Sequence, residues 1–171
     1  MRNISASIIP ELDHEMNGVR ATLSRVPDDK LGWSPHPKSM TMGRLASHLA
    51  EVPSWIVPTV RQTELDLAPK DGPKYEAPSL ASREEMLAFF DKNVSAGREA
   101  LQEIEDEAMM VPWSLLMSGF AIFTMPRIAV LRAFVLSHAI HHRAQLGLYL
   151  RMNDIAVPAL YGPSADEGGM S

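Results

Sequence analysis

Six histidines are the residues of this chain best suited to chemistry, and three of them fall where a helix would turn them inward. His138 and His142 are four residues apart, so on a helix they stand only about 40° apart around the axis, one turn above the other. Both rings can then reach one ion. His48 lies on the stripe Leu45, His48, Val52, Trp55 of a different helical segment. Two readings of this trio are open. Either each imidazole is a buried histidine satisfied by its own hydrogen bond, or all three give lone pairs to one divalent ion. Burying three unpartnered imidazoles is costly, and a set of three histidine ligands leaves a coordination position open for water or substrate. Three imidazoles suit zinc, nickel, copper and iron.

The remaining candidates divide by their place on the helical wheel. His14 is about 200° around its helix from Leu12 and is expected to face solvent. His36, between Pro35 and Pro37, belongs to an extended surface loop. His141 is about 100° from His142, on the flank of the stripe, where it is either solvated or set beside the ligands. Glu51 follows His48 by three residues and can orient a ligand or act as a base; the alternative is a flank glutamate paired with an Arg or Lys. Trp55 lines the same pocket or fills the core. Arg143 and Gln145 read as hydrogen-bonding groups on a helix-packing surface.

Composition bounds what else the chain can do. With 171 residues, 46% hydrophobic and 22% charged, one domain over residues 1–171 with a substantial core is expected. Sixteen Lys plus Arg against 21 Asp plus Glu give a net charge of -5, which argues against a nucleic-acid partner. There is no cysteine, so disulfides, thiolate ligands and a protein thiol nucleophile are excluded. The N-terminal MRNISASIIPELDHEM lacks the apolar core of a signal peptide, and a cytoplasmic location is expected. The most apolar stretch, 120–140, carries Arg127, Arg132 and His138, so no membrane span is expected.

Four segments must position the histidines. The first runs from about Ser7 to Arg25 with Ile8, Leu12, Met16, Val19 and Leu23 on one stripe, and Pro10 in its first turn. A linker, Val26 to Ser39, breaks it with Pro27, Gly32, Pro35 and Pro37. The second helix starts near Ser39 or Thr41 and extends past Val60 with bends at Pro53 and Pro58. After a second linker, Leu67 to Pro78, a capping box of Ser82 and Glu85 opens a third helix ending near Ile104. Val111 to Thr124 reads as a short hairpin or irregular segment. Thr124 then caps a fourth helix, with Pro126 in its first turn, running to about Met152. The tail beyond Asn153 is not helical. Four amphipathic helices of about 20 residues, each roughly 30 Å long, bury one another's stripes, which makes the expected class an all-α four-helix bundle.

Three segments carry a family pattern: SHLAEVPSW on the second helix, SHAIHHRAQLGLYLR on the fourth and VPALYGPS in the tail. With LGWSPHPKSMTMGRL ahead of the first histidine, they resemble the DinB family, also called DinB/YfiT-like. The resemblance implies a bundle of up-down-down-up topology, often a homodimer, that holds a divalent ion, zinc or nickel, on His48, His138 and His142. It also implies an ion that activates water or an external low-molecular-weight thiol against a small-molecule substrate, as in a hydrolase or a thiol S-transferase. Glu51 is then a candidate for proton transfer. The alternative is a metal- or ligand-binding stress-response module without turnover. Because histidine binds metal in its neutral form, binding and activity are expected to weaken below about pH 6.5.

Overall fold

Helix α1 spans Asn3–Leu23 in the structure, a computed structural model that describes residues 3–168. Its expected stripe is the buried face, with Ile8, Leu12, Met16, Val19 and Leu23 all at 3% exposure or less. The helix starts earlier than Ser7 because Ile4 N–H donates to Asp106 Oδ1 at 2.9 Å, a cap supplied by a distant segment. Pro10 therefore lies inside the helix rather than in its first turn. The cost is small, since Ala6, whose carbonyl loses its usual donor, is exposed to water.

Helix α2, Met42–Glu51, begins after Thr41, whose hydroxyl accepts the Arg44 N–H at 3.2 Å. It runs on through a 3-10 turn, Val52–Trp55, into α3, Ile56–Arg61, so the chain bends after His48 where Pro53 and Pro58 require it. Helix α4 covers Arg83–Glu103. Ser82 Oγ accepts from Glu85 N–H at 3.2 Å, while the Glu85 carboxylate accepts from Ala81 N–H, one residue before the cap. Gly97 allows α4 to approach α3 closely: a Cβ there would stand 2.7 Å from Ile56 Cδ1.

A short α5, Asp106–Met109, leads into strands that make the chain mostly helical rather than all-α. Two of them, named β2 (Pro112–Met117) and β3 (Phe120–Pro126), form the hairpin foreseen as one of two options. Its central residues Ser118 and Gly119 have φ of 53° and 80°, the left-handed pair that matches strand twist in a tight hairpin. The strand β1, Glu64–Asp66, is new: it pairs in parallel with β2, Leu65 opposite Leu115, to complete a three-stranded sheet. Three residues are too few to show an alternating pattern. What places them is tertiary: the Asp66 carboxylate accepts the Ser118 and Gly119 N–H groups at 2.9 and 2.7 Å.

Thr124 does not cap a helix. It lies within β3, its hydroxyl 2.7 Å from that of Ser114, and Pro126 ends the strand and immediately precedes α6, Arg127–Val130. The expected fourth helix is therefore later and composite: α6, a π-helical stretch Leu131–Ser137, and α7, His138–Met152. Arg127 is buried and donates to the carbonyls of Thr59, Ala108 and Gln62 at 2.8–3.0 Å, tying the sheet end to α3 and α5.

Helices α1 and α2 each pack against both α4 and α7. The main core lies between them, and each fully buried Leu, Ile, Phe or Met there contributes roughly 1.5–3 kcal/mol. A smaller cluster of Trp113, Leu115 and Val130 sits under the sheet. The nonhelical tail returns to α1, where the Tyr161 hydroxyl donates to Glu15 at 2.7 Å. Glu15 is also the buried ion-pair partner of Arg143, at 2.8 Å, which accounts for Arg143 as a packing residue.

Candidate metal centre

Both helices deliver their histidines to one point. His48 comes from the last half of α2, and His138 and His142 from the first turn and a half of α7. The ring centroids of the three are separated by 5.0, 4.8 and 4.6 Å, and one nitrogen from each lies within 4.8 Å of the others. His48 and His138 are half-buried, and His142 is only 7% exposed.

The partners of each ring decide which nitrogen faces inward. His138 Nδ1 lies 3.3 Å from the Phe134 carbonyl, and His142 Nδ1 lies 2.7 Å from Gln145 Oε1. Both partner oxygens only accept, so both Nδ1 atoms carry the hydrogen and both Nε2 atoms keep a lone pair. His48 Nδ1 has the Glu51 carboxylate at 3.5 Å, too long for a hydrogen bond, and is buried without a partner. The neighbouring negative charge still favours a hydrogen on that nitrogen. His48 Nε2 then meets His138 Nε2 at 3.2 Å. Two facing lone pairs repel unless a proton or a cation stands between them. In a tetrahedral zinc site, ligand nitrogens are about 3.3 Å apart, so this pair has ligand spacing, with a nitrogen of His142 within 4.8 Å of both. The residues fit a divalent ion.

Electrostatics point the same way. Burial lowers the pKa of His138, and the neighbouring His48 adds to the effect. Burial likewise takes His142 down to about 4, against a raising hydrogen bond from Gln145. Both rings are therefore neutral near pH 7, the form that binds metal.

The surroundings are aromatic on one side and polar on the other. Trp55 stacks on Phe134 at 5.3 Å and turns an edge to His138 at 6.2 Å, so it lines the site and packs at once. A shallow groove of about 320 Å³, lined by Ala133, Phe134, Ser137, His138 and His141, opens this side to the surface. His141 is exposed and its ring lies 4.9 Å from that of His142. His14 and His36 are exposed, as expected. On the polar side, Glu51 is buried and accepts a hydrogen bond from the Tyr75 hydroxyl at 2.8 Å. Burial, then Glu51, push the Tyr75 phenol up to about 12, so it stays a donor.

Gln145 is thus a partner of His142 rather than a packing group, which its spacing of three along α7 could have signalled. Tyr75, within the second linker, carries no such signal. Nor does the π-helical stretch before His138, whose wider turn resets the helix face just ahead of the His138 and His142 pair; such stretches are frequent at functional sites.

Comparison with known proteins agrees with this architecture. The sequence profile of the DinB superfamily matches residues 11–146, and the chain belongs to that superfamily. A DinB-like protein from Bacillus cereus shares 23% identity at a TM-score of 0.68, covering 89% of this chain and 94% of that one. A DinB-like protein from Bacillus subtilis, 14% identical, superimposes with a TM-score of 0.66 over 89% and 95% of the two chains. These similarities show the fold. No curated protein sequence matches.

Proposed function

We propose that His48, His138 and His142 hold one divalent ion, zinc or nickel, and that the protein is a metal-dependent enzyme acting on a small molecule. The observation that carries the reading is the 3.2 Å approach of His48 Nε2 to His138 Nε2, with His142 beside both. A bound ion of this kind lowers the pKa of water or of an external thiol and so supplies a nucleophile near neutral pH. The chain's own residues do the rest. Phe134 and Gln145 fix the tautomers of His138 and His142, Glu51 biases His48 and is placed to take a proton, and Trp55 stacked on Phe134 gives the site an apolar wall beside the groove that opens to the surface. Since the chain has no cysteine, any thiol must come from a low-molecular-weight cofactor, as in a thiol S-transferase; with water the reaction is a hydrolysis.

The same reading takes the chain as one domain over 1–171, a four-helix bundle of up-down-down-up topology. Pairing of α1 and α2 each with α4 and α7 supports that arrangement. It takes the protein as a homodimer and places it in the cytoplasm; among the described residues no helix is long and apolar enough to cross a membrane.

The test is elemental analysis of protein purified without an affinity tag, followed by turnover of a panel of electrophiles and esters with water and with each of several small thiols. Activity that disappears on chelation and returns with zinc or nickel supports the enzyme. Full activity after metal removal overturns the mechanism, and bound metal with inactivity across the panel favours the binding module.

A further inference from the structure

The segment 67–82, which holds the second linker and leads into α4, touches α2 on both sides of His48. Its Leu80 N–H donates to Ser47 Oγ at 3.1 Å, and its Tyr75 hydroxyl donates to Glu51 Oε2 at 2.8 Å. Ser47 precedes His48 by one residue and Glu51 follows it by three. The segment is itself anchored: Tyr75 N–H donates to the Leu67 carbonyl at 2.7 Å, and Leu67 N–H donates to Leu116 of β2 at 2.9 Å. A path of hydrogen bonds therefore runs from the sheet through Tyr75 to the carboxylate beside His48.

Tyr75 is 41% exposed, so core packing does not explain why its hydroxyl reaches a buried carboxylate. The oxygen it holds, Glu51 Oε2, is also the one 3.5 Å from His48 Nδ1. A glutamate's terminal torsion is broad and two-fold; a fixed donor on one oxygen selects one setting of it. A charge-assisted bond also supports the negative charge that makes the carboxylate a strong acceptor. A carboxylate beside the outer nitrogen of a metal-binding histidine favours the hydrogen on that nitrogen and raises the ring's donor strength; at 3.5 Å Glu51 acts on His48 Nδ1 through its charge rather than through a formed hydrogen bond.

Resting on the metal reading above, we propose that Tyr75 is a positioning residue of the metal centre. Through Glu51 it holds His48 with the hydrogen on Nδ1 and the lone pair on Nε2. By thermodynamic reciprocity, occupancy of the centre then tightens the 67–82 segment.

The test is a mutant cycle of Tyr75→Phe and Glu51→Ala, read by zinc competition against a chromophoric chelator and by ring-nitrogen NMR of metal-free protein. Tyr75→Phe should weaken zinc binding about 3- to 10-fold, less than the 10- to 100-fold typical of losing a direct partner of a ligand. It should have no further effect once Glu51 is Ala. In metal-free protein it should move His48 toward the Nε2–H tautomer, with the melting temperature changed by no more than about 2 °C. Unchanged or tighter zinc binding, an equal effect in both backgrounds, or unmoved His48 nitrogens would overturn the proposal. If the unmodified protein takes up no zinc, the metal reading fails, and the His48 nitrogen shifts alone decide the role of Tyr75.

Discussion

His48 and His138 meet nitrogen to nitrogen at 3.2 Å although 90 positions separate them in the chain. The one backbone contact of either ring, His138 Nδ1 with the Phe134 carbonyl, uses the other nitrogen, so the two Nε2 atoms meet only each other across the helices. The contact is a product of how α2 and α7 pack, and the consequences below depend on it.

Replacing His48, His138 or His142 by Ala should each reduce zinc stoichiometry from one per chain to near zero, since two remaining imidazoles make a weak site. His141→Ala, exposed beside the cluster, should leave stoichiometry unchanged. Calorimetric titration of metal-free protein checks both. Full zinc binding by any of the three ligand variants would refute the assignment.

Acidity should act later than for a free imidazole. His142 is held down to about 4 and His138 is also lowered, against about 6.5 in the unfolded chain. Between those values the unfolded chain binds more protons, so metal-free protein should lose stability as the pH falls through that window and keep this contribution in full above about 6.5. By the same shift, these two rings should compete for protons with zinc only well below pH 6.5, so the fall in zinc affinity on acidification should be shallower there than three unperturbed imidazoles would give. Denaturant titrations and zinc affinities between pH 4 and 8, a range chosen to bracket about 6.5, measure the two; a fall in affinity as steep as that of three unperturbed imidazoles would contradict the burial argument.

Arg127→Lys should cost roughly 1–3 kcal/mol, because one ammonium cannot reproduce three directed bonds and the buried Thr59 carbonyl or its part-buried neighbours lose their donor. Those bonds join Thr59, Gln62 and Ala108. A urea midpoint close to that of the unmodified protein would show that water replaces the guanidinium.

Sedimentation at micromolar concentration should give twice the chain mass of 18.9 kDa. The hairpin offers apolar surface for association in Phe120, 79% exposed, and Ile122, 54% exposed, whereas Phe123 is turned inward against Trp113 and Phe134. A mass of one chain refutes the homodimer.

Much of the architecture was legible residue by residue. The stripe from Ile8 to Leu23, the bends after His48, the Ser82 cap and the breaks at Pro and Gly all depend on spacings of a few residues, and so does the stacking of His138 over His142. Zero cysteines restrict any metal site on this chain to nitrogen and oxygen ligands by inventory alone. What required the tertiary structure is everything joined across long separations. The three-residue β1 exists because Asp66 catches the hairpin turn, the fourth helix starts after Pro126 because Thr124 is claimed by a strand, and α1 begins at Asn3 because Asp106 caps it. The convergence of His48 on the pair and the reach of Tyr75 to Glu51 belong to the same class. Periodicity records only which face of an element is apolar; which faces meet is decided by packing and chain closure, which no local pattern encodes.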